Sequence, residues 1–318
     1  MASVKEPLIK IQSLTKDYYN KIVVDNINLE IFESCFAFLG PNGAGKTTTI
    51  LMLLGLVKPS NGTASIFGMD ILNRSGKIKR KIGFLPENVG FYPNLTGRKF
   101  LKLITSLRIS GGRNDNQIES YLEWSGIKKS YWDKDIKTYS RGMRQRLGLA
   151  QAFAGEPKIV FLDEPLSNID PIGREEFIQK IRLKREEGIT VIISSHIVLE
   201  IEQLADYVAF IDDGKIRASD KIYKLAQIYG FDEYEITRIK YNDSMSLKEL
   251  NELLSTEKGL FSDLPKVLSE KIIFRTDNPE KVDKIILNYK DFNYTPLSGT
   301  LNKIYKKIIK GESYEQKE

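Results

Sequence analysis

The sequence predicts an α/β fold: a mixed sheet core with an antiparallel β subdomain and a helical subdomain, followed by a small α+β domain. Three observations lead to this prediction. Apolar runs typical of buried strands alternate with polar turns and helix-like segments up to about residue 230. Residues from about 90 to 155 show helix-period patterns instead, and from Phe231 the chain changes to short alternating units. We therefore predict two domains, residues 1–230 and residues 231–318.

Length and composition set the broad class of the chain. With 318 residues, 41% hydrophobic and 28% charged, it has the length and composition of two globular domains. The single cysteine, Cys35, excludes an internal disulfide, and its strand-like context favours a small buried residue over a reactive thiol. The first residues lack the apolar segment of a signal peptide, and no run of about eighteen apolar residues occurs. If membranes are involved, we expect a separate polypeptide to span them.

The formal net charge is +6, and the positive excess lies within the first 230 residues, because residues 231–318 carry 15 Lys+Arg against 16 Asp+Glu. A positive surface can face anionic lipid, bind nucleic acid, or simply be solvated. The chain has no aromatic-plus-basic module of the kind that reads nucleic acid. We therefore favour a solvated surface and expect no nucleic-acid partner.

Short alternating runs before residue 40 predict antiparallel strands joined by polar turns. These runs are Leu8–Ile11, Ile22–Val24 and Ile27–Ile31. Between them, Tyr18 and Tyr19 precede a predicted turn at Asn20. An aromatic side chain at this place can stack on an adenine ring or fill a strand edge, and its position leaves both interpretations open.

The next stretch matches a phosphate-binding loop. Its residues are Gly40, Pro41, Asn42, Gly43, Ala44, Gly45, Lys46, Thr47 and Thr48. A buried strand is predicted before it, at Phe36–Leu39, and a helix after it, at Thr48–Leu54. The glycines let successive N–H groups face a polyphosphate, while Lys46 is expected to reach the β- and γ-phosphates and Thr47 to bind Mg²⁺. A glycine-rich turn that binds nothing is the alternative, and the strand–loop–helix order argues against it.

Two later apolar runs end in residues that can act on a phosphate. The run Lys158–Pro165 predicts a buried strand followed by Asp163, which is placed to hold Mg²⁺ or its water shell, and Glu164, which is placed to take a proton from water. The run Thr190–His196 repeats the design and ends in the one histidine of the chain. A lone histidine at a strand end is usually structural, but this position suggests a neutral imidazole that donates toward the γ-phosphate.

The helix-period block contains two predicted N-caps. Thr96 is expected to cap a helix with one apolar face, formed by Phe100, Leu101, Ile104 and Leu107. Ser140 is expected to cap a second helix. Gly142 follows in the first turn of that helix, and because glycine is costly there, it suggests a close approach by a ligand or by backbone.

The remaining elements follow the same patterns. Strands are predicted at Thr63–Phe67 and Lys81–Leu85, a hairpin with a glycine turn at Tyr207–Ile216, and a helix at Lys221–Ile228. In the second domain we predict strands at Tyr234–Tyr241 and Lys271–Phe274, and helices at Leu247–Leu254 and Pro279–Tyr289. A last helix has one apolar face, formed by Leu301, Ile304, Tyr305, Ile308 and Ile309, which packs either within its own domain or against a partner.

Taken in this order, the motifs resemble the ATP-binding subunit of an ATP-binding-cassette (ABC) transporter, a P-loop NTPase, over about residues 5–230. The resemblance implies that Gly40–Thr48 is the Walker A loop, that Ile159–Asp163 is Walker B, and that Glu164 is the catalytic carboxylate. It further assigns Tyr18 to adenine stacking, Glu87 to the Q-loop with a role toward Mg²⁺, and His196 to the switch histidine. The signature motif is assigned to Ser140, Arg141, Gly142 and Met143. The D-loop is assigned to Ser167–Asp170, with Asp170 as its site residue.

The resemblance also implies partners and cofactors. Each ATP, with Mg²⁺, is expected to lie between the Walker A loop of one subunit and the signature helix of another, in a dimer of this chain with itself or with a similar ATPase subunit. A separate transmembrane permease subunit is expected to dock near Glu87, which places the chain at the cytoplasmic face of the cell membrane as a peripheral protein.

The chain departs from the general family pattern in three places. Glu87 replaces a glutamine, Tyr139 and Arg141 replace the commonest signature residues, and Ser34-Cys35 replaces a glycine before the Walker A strand. The first two departures, with the extension 231–318, resemble the subgroup that serves ABC-2-type exporters. The alternatives are a soluble ABC ATPase of translation or DNA repair, disfavoured by the single cassette without sustained heptads, and a non-hydrolysing regulatory module, disfavoured by Glu164 and His196.

Overall fold

A computed structural model of the chain describes residues 6–19, 21–32, 35–73, 75–108, 115–167, 169–238, 245–257, 259–289 and 291–311. The chain forms two compact units. The first comprises residues 1–205 and 209–217, and the second comprises residues 206–208 and 218–318. The domain boundary placed at residue 230 from the sequence stays a prediction. No helix within the described ranges is long and apolar enough to cross a membrane.

Up to residue 221, the described part of the chain consists of strands interspersed with helices. The strands are β1 (Ile9–Tyr18), β2 (Lys21–Ile31), β3 (Cys35–Leu39), β4 (Asn61–Ile66), β5 (Met69–Asp70), β6 (Ile82–Leu85), β7 (Ile159–Asp163), β8 (Thr190–Ser195), β9 (Tyr207–Asp212) and β10 (Lys215–Lys221). The helices are α1 (Lys46–Leu53), α2 (Ser75–Lys79), α3 (Gly97–Arg108), α4 (Asp115–Ser125), α5 (Arg141–Phe153), α6 (Pro171–Glu186) and α7 (Val198–Leu204), with 3₁₀ turns at Lys129–Tyr131 and Ile136–Thr138.

A six-stranded sheet with the order β10-β9-β3-β8-β7-β6 positions the site. Its strands β3, β8, β7 and β6 are parallel, and every residue of β3, β7 and β8 is buried. Continuous apolar runs are typical of parallel strands that are covered on both faces, which confirms the strands predicted from these runs. The carboxyl ends of β3, β6, β7 and β8 consequently meet at one edge of the sheet.

A second sheet of the first unit, with the order β2-β1-β4-β5, corrects one prediction. The runs Ile22–Val24 and Ile27–Ile31 belong to one strand, β2, and not to two strands joined by a turn. Register shifts against β1, with Asn26 at φ 50°, absorb the irregular residues between the two runs, so the strand continues. The predicted turn at Asn20 lies outside the described residues.

The helical block has its own core, built by α3, α4 and α5 around Phe100, Leu101, Ile118, Leu122 and Leu147. Thr96 caps α3 as predicted, because its Oγ1 accepts the backbone N–H of Lys99 at 3.2 Å. Leu107 was predicted on the buried face of α3, and this is wrong, since its side chain is 70% exposed. Arg108 takes the last position of that face and donates to the carbonyl oxygens of Gln151 and Ala152 at the end of α5.

The second unit contains α8 (Ile222–Ile228), β11 (Glu233–Arg238), α9 (Leu247–Ser255), β12 (Lys266–Val267), β13 (Lys271–Arg275), α10 (Pro279–Ile286), β14 (Phe292–Pro296) and α11 (Thr300–Lys310). Its sheet has the order β12-β13-β11-β14, and each neighbouring pair of strands in it is antiparallel. From β11 to β14 the elements follow the β-α-β-β-α-β order of ferredoxin-like folds. The predicted residues 239–241 of β11 lie outside the described part, and α10 ends three residues before the predicted Tyr289.

Several elements were not predicted from the sequence. The structure also answers where the apolar face of the last helix packs. The strands β5, β12 and β14 and the helices α6 and α7 are not among the predicted elements. The last helix, α11, packs on α8 of its own unit, where Leu301 and Ile304 are fully buried and the Lys307 ammonium donates to the Tyr229 carbonyl at 2.9 Å. Packing within the unit therefore accounts for the inner part of its apolar face.

Candidate functional site

The loop between β3 and α1 holds its lysine against its own backbone. The Lys46 ammonium donates to the carbonyl oxygens of Gly40 at 2.8 Å and Pro41 at 3.0 Å, and the side chain is almost fully buried. Asn42 and Gly43 lie at the tip of the loop, where Asn42 is exposed. At the start of α1, Gly45 provides no side-chain cap, so backbone N–H groups of the first turn face the loop opening. Such an N–H cluster at a helix N-terminus suits an anion.

Two glycines of this loop occupy places that no other residue can take without a shift of backbone. A Cβ on Gly40 would lie 2.0 Å from the carbonyl oxygen of Ile211. Gly45 has φ 101°, and a Cβ there would lie 2.6 Å from the carbonyl oxygen of Val23. Ala44 is buried beside them, and Thr48 is half-buried in the first turn of α1. The packing of the loop against neighbouring strands thus requires these glycines.

Asp163, the last residue of β7, is bound by two hydroxyl groups. Its Oδ1 accepts from Ser194 Oγ at 2.5 Å and from Thr47 Oγ1 at 3.1 Å. Burial, which is the largest cause, raises the pKa of Asp163, while the Ser194 and Thr47 hydrogen bonds lower it. A divalent cation beside this carboxylate would favour its ionised form, and Asp163 with the Thr47 hydroxyl offers the hard oxygen ligands that Mg²⁺ prefers.

Glu164 follows directly, in a backbone conformation that is unusual for its residue type. Its φ is 47°, in the left-handed region, and its N–H lies within hydrogen-bond distance of the Ser194 carbonyl at 3.2 Å and Ser194 Oγ at 3.1 Å. Such a conformation costs about 1–3 kcal/mol and persists only where its surroundings hold it. It directs the carboxylate back toward the phosphate loop, where Oε1 lies 3.3 Å from the Lys46 ammonium.

The two oxygens of Glu164 have different surroundings. Oε2 lies 2.9 Å from Nδ1 of His196, whereas Oε1 is buried and makes no hydrogen bond within the described residues, because the Lys46 contact has the distance of an ion pair without hydrogen-bond geometry. A buried carboxylate oxygen in this condition is suited to accept a proton or a hydrogen bond from a water molecule.

His196 contacts Glu164 through Nδ1, and its donation toward a γ-phosphate stays a prediction. A neutral imidazole that donates from Nδ1 to Glu164 has no N–H at Nε2, so donation toward a phosphate as well requires the imidazolium form. The ring is partly exposed, at 40%, and this leaves Nε2 accessible to a ligand. Lys46, Thr47, Asp163, Glu164 and His196 thus form one cluster, as their positions at the sheet edge predict.

Comparison with known proteins agrees with this geometry. The family model for ABC transporters matches residues 24–167. The bacitracin transport ATP-binding protein BcrA of Bacillus licheniformis is 44% identical over 211 residues, which covers 66% of this chain and 68% of the relative. The lantibiotic transport ATP-binding protein SrtF of Streptococcus pyogenes is 37% identical over 210 residues, which covers 66% of this chain and 89% of the relative.

The chain belongs to the ABC transporter ATP-binding proteins. A dimeric bacterial ABC transporter cassette has the same fold, with a TM-score of 0.63 and 25% identity, over 67% of this chain and 98% of that one. A second ATP-binding subunit of an ABC transporter shares the fold alone, with a TM-score of 0.64 and 23% identity, over 78% of this chain and 99% of that one. ATP is accordingly the nucleotide of this cassette, and its family hydrolyses ATP.

The residues that the sequence analysis assigns to the signature motif lie at the start of α5. Ser140 caps this helix as predicted, because its Oγ accepts the N–H of Met143 at 3.2 Å. Gly142 faces open space, since a Cβ there would meet no atom within 4 Å, so the suspected close approach does not come from the described part of this chain. Arg141 is exposed, whereas the unusual Tyr139 is buried in the helical core and donates its hydroxyl to the Tyr131 carbonyl at 2.8 Å.

Three predicted site residues of the cassette lie apart from the buried cluster. Glu87 is exposed, two residues beyond the carboxyl end of β6, and within the described ranges no hydrogen bond or ion pair joins it to Thr47 or Asp163. Tyr18 ends β1 with 41% of its surface exposed and the Lys16 ammonium 4.7 Å from its ring centre. Asp170 is exposed at the N-cap position of α6, and Asn168 of the same D-loop lies outside the described residues.

Two serines of the site are absent from the predicted set. Ser194 binds both acidic residues, and Ser195 binds a further buried carboxylate, Glu200. The signal for them was present, because both serines end a buried strand directly before His196, at the edge where ligands of parallel sheets lie. Gln145 is a third residue outside that set, and its side-chain amide donates to the Pro165 carbonyl at 2.8 Å, which connects α5 to the residue after Glu164.

Proposed function

We propose that this cassette hydrolyses ATP with Glu164 as the general base and His196 as its partner, and thereby powers export through a separate membrane-spanning permease. The observation that carries the proposal is the buried Glu164 carboxylate, with Oε2 against His196 and Oε1 able to accept a hydrogen bond from water. A positioned carboxylate of this kind contributes typically about 10²–10⁴-fold to hydrolysis.

The phosphate end of ATP is assigned to the loop 40–48. Its N–H groups and the start of α1 bind the phosphate oxygens, and the Lys46 ammonium, already held over the loop by Gly40 and Pro41, binds the β- and γ-phosphates. Thr47 and Asp163 hold Mg²⁺, which neutralises phosphate charge when bound, and Glu87 contributes a further acidic group from the end of β6. Tyr18, with its exposed ring, stacks on adenine.

The second side of the nucleotide is assigned to another cassette, a second copy of this chain or a similar subunit. Ser140, Arg141, Gly142 and Met143 begin a helix whose N-terminus suits the γ-phosphate. The open space at Gly142 supports this assignment, because nothing in the described part of this chain explains a glycine in a helical turn. Asp170 and the rest of the D-loop lie at the start of the next helix, α6, and are assigned to the same interface.

The names of two relatives and three departures in the sequence support a role in export. Two relatives are named for bacitracin transport and lantibiotic transport, and the departures at Glu87, Tyr139 and Arg141 resemble the ABC-2-type subgroup. We assign the cassette to the cytoplasmic face of the membrane, where a permease subunit contacts the segment after β6.

The test is a comparison of Glu164→Gln with Lys46→Ala in the full chain. Glu164→Gln keeps the shape of the side chain, so we expect ATP to bind and hydrolysis to fall by about a hundredfold or more, with an ATP-dependent dimer on a sizing column. Lys46→Ala is expected to lose ATP binding itself. Normal turnover in Glu164→Gln would refute the base assignment, and the absence of hydrolysis in the unmodified chain with its permease would favour a non-hydrolysing module.

A further inference from the structure

Glu200 is a buried acidic residue that the proposed hydrolysis leaves unexplained. It lies in the first turn of α7 and is 6% exposed, and burial, the largest cause, raises the pKa of its carboxyl. Its Oε2 accepts a hydrogen bond from Ser195 Oγ at 2.9 Å, whereas Oε1 has no hydrogen-bond partner among the described residues. Burying a carboxyl group in this condition costs free energy, so a stabilising role in α7 alone is a poor account of it.

Ser195 connects Glu200 to the backbone on both sides of His196. While its hydroxyl donates to Glu200, the same Oγ accepts the N–H of Ile197 at 2.9 Å. The carbonyl oxygen of Ser195 accepts the N–H of Gly40, at 3.3 Å, at the start of the phosphate loop. The carboxylate orients the hydroxyl, and the hydroxyl then holds the residue that follows His196.

Arg174 links the same carboxylate to the residues before α6. One guanidinium nitrogen lies 3.9 Å from Oε1 of Glu200, an ion-pair distance, and Nε donates to the Ile169 carbonyl at 3.0 Å. Ile169 belongs to the predicted D-loop and is itself buried. A continuous set of contacts therefore runs from Ile169 through Arg174, Glu200 and Ser195 to the backbone beside His196.

We propose that Glu200 is a positioning residue for His196, and that Arg174 couples it to the D-loop segment. The proposal rests on the role proposed above for His196. In the part of the chain that the structure describes, no hydrogen bond or ion pair joins Glu200 to Glu164 or Lys46, and the contact through which we propose that Glu200 acts is Ser195. The position of the residues before α6 thereby influences the position of the imidazole that pairs with the general base.

The first experiment compares Glu200→Ala with Glu200→Gln, and uses Gln203→Ala, a side chain on the same helix, as the control. In Glu200→Ala we expect kcat to fall about tenfold or more, with KM for ATP within about twofold, because the imidazole is misplaced while the phosphate loop is intact. Glu200→Gln retains an oxygen that accepts from Ser195, so it should restore kcat to within about threefold of the unmodified chain. Gln203→Ala should be unchanged.

A purely structural role predicts a different result, namely a lower melting temperature with kcat unchanged below that temperature in Glu200→Ala. That result would overturn the proposal. If Glu200→Ala does not fold, Ser195→Ala removes the same link and should show the same loss of kcat. Ser195→Ala with a normal kcat would overturn the proposal equally.

A second arm separates this proposal from the proposed function. Hydrolysis retained in His196→Ala would refute the role of His196 and the positioning proposal with it. Hydrolysis lost in His196→Ala but normal in Glu200→Ala would refute the positioning proposal alone. We expect Glu200→Ala to cause little further loss in a His196→Ala background, since both changes remove one interaction. Glu200→Gln breaks the ion pair with Arg174 and keeps kcat within about threefold, so Arg174→Gln should lower kcat by no more than about threefold in the unmodified chain and not at all in Glu200→Gln. Equal losses in both would exclude the coupling to the D-loop segment.

Discussion

Ser194 holds the acidic pair at the end of β7, and its hydroxyl can be removed with little change in volume. In Ser194→Ala, the Glu164 N–H keeps the Ser194 carbonyl at 3.2 Å, but Asp163 loses the donor at 2.5 Å and, among the described residues, retains only the Thr47 hydroxyl at 3.1 Å. A hydrogen bond to a charged group contributes about 1.5–3 kcal/mol, so we expect the free energy of unfolding to fall by about 2 kcal/mol. The pKa of Asp163 should rise further, because the Ser194 hydrogen bond lowers it.

A matched control is available in the helical block. Ser125 is also buried, and its Oγ donates to the Leu122 carbonyl at 2.6 Å and accepts the Ile127 N–H at 3.1 Å, both neutral groups. Ser125→Ala should therefore cost about 1 kcal/mol in a urea unfolding curve, less than Ser194→Ala. Only Ser194→Ala should slow hydrolysis, by about tenfold, since it loosens the conformation of Glu164. Equal losses of stability in both variants, with normal hydrolysis in both, would refute the reasoning.

Two further predictions concern acidic residues outside the buried cluster. The hydrogen bond from Arg146 is the main cause that lowers the pKa of Glu176 to about 2, so its ion pair stabilises the fold above the ordinary pKa of 4.5 and is lost as the pH falls toward 2. Because the Glu176 side chain is 39% exposed, Glu176→Gln should remove only about 1 kcal/mol of this pH-dependent stability. The same dependence of unfolding free energy on pH in the variant and the unmodified chain would contradict this prediction. Glu87→Gln should keep the rate of hydrolysis within about tenfold of the unmodified chain but need more Mg²⁺ for half-maximal rate, a shift of about 1 kcal/mol. If neither Glu87→Gln nor Glu87→Ala changes the Mg²⁺ concentration for half-maximal rate, Glu87 is an ordinary solvated residue.

Features that depend on neighbouring residues were predictable from the sequence. The caps at Thr96 and Ser140 each involve a side chain and a backbone N–H three residues later, so the local pattern contains the whole interaction. The helix α6 was equally predictable, because Pro171 at its start is a helix start signal, but α6 is absent from the predicted elements.

Features that depend on pairing were not predictable in the same way. The strand β14 has a mixed composition, Phe-Asn-Tyr-Thr-Pro, and its identity comes from its register against β11, where Tyr294 lies opposite Ile236. The prediction of two strands in place of β2 was wrong. The polar residues at the register shift against β1 have the composition of a turn, and only the pairing with β1 shows that the strand continues. Leu107 was misplaced because Arg108 reaches carbonyl groups that lie more than forty positions away in the chain.

Each motif of this chain is contiguous, so the order of residues was enough to identify a phosphate-binding loop, two acidic residues at one strand end and a strand-end histidine in the order of an ABC cassette. The contacts between atoms of these motifs required the folded chain. Thr47 and Asp163 are 116 positions apart, and Ser194 lies 31 positions beyond Asp163, yet one carboxylate oxygen binds both hydroxyls. They meet because β3, β8 and β7 pair in parallel with a register that brings their carboxyl ends to one edge. The contacts of Ser194, Ser195 and Glu200 therefore follow from strand pairing between distant segments, which sets distances that a local sequence pattern does not encode.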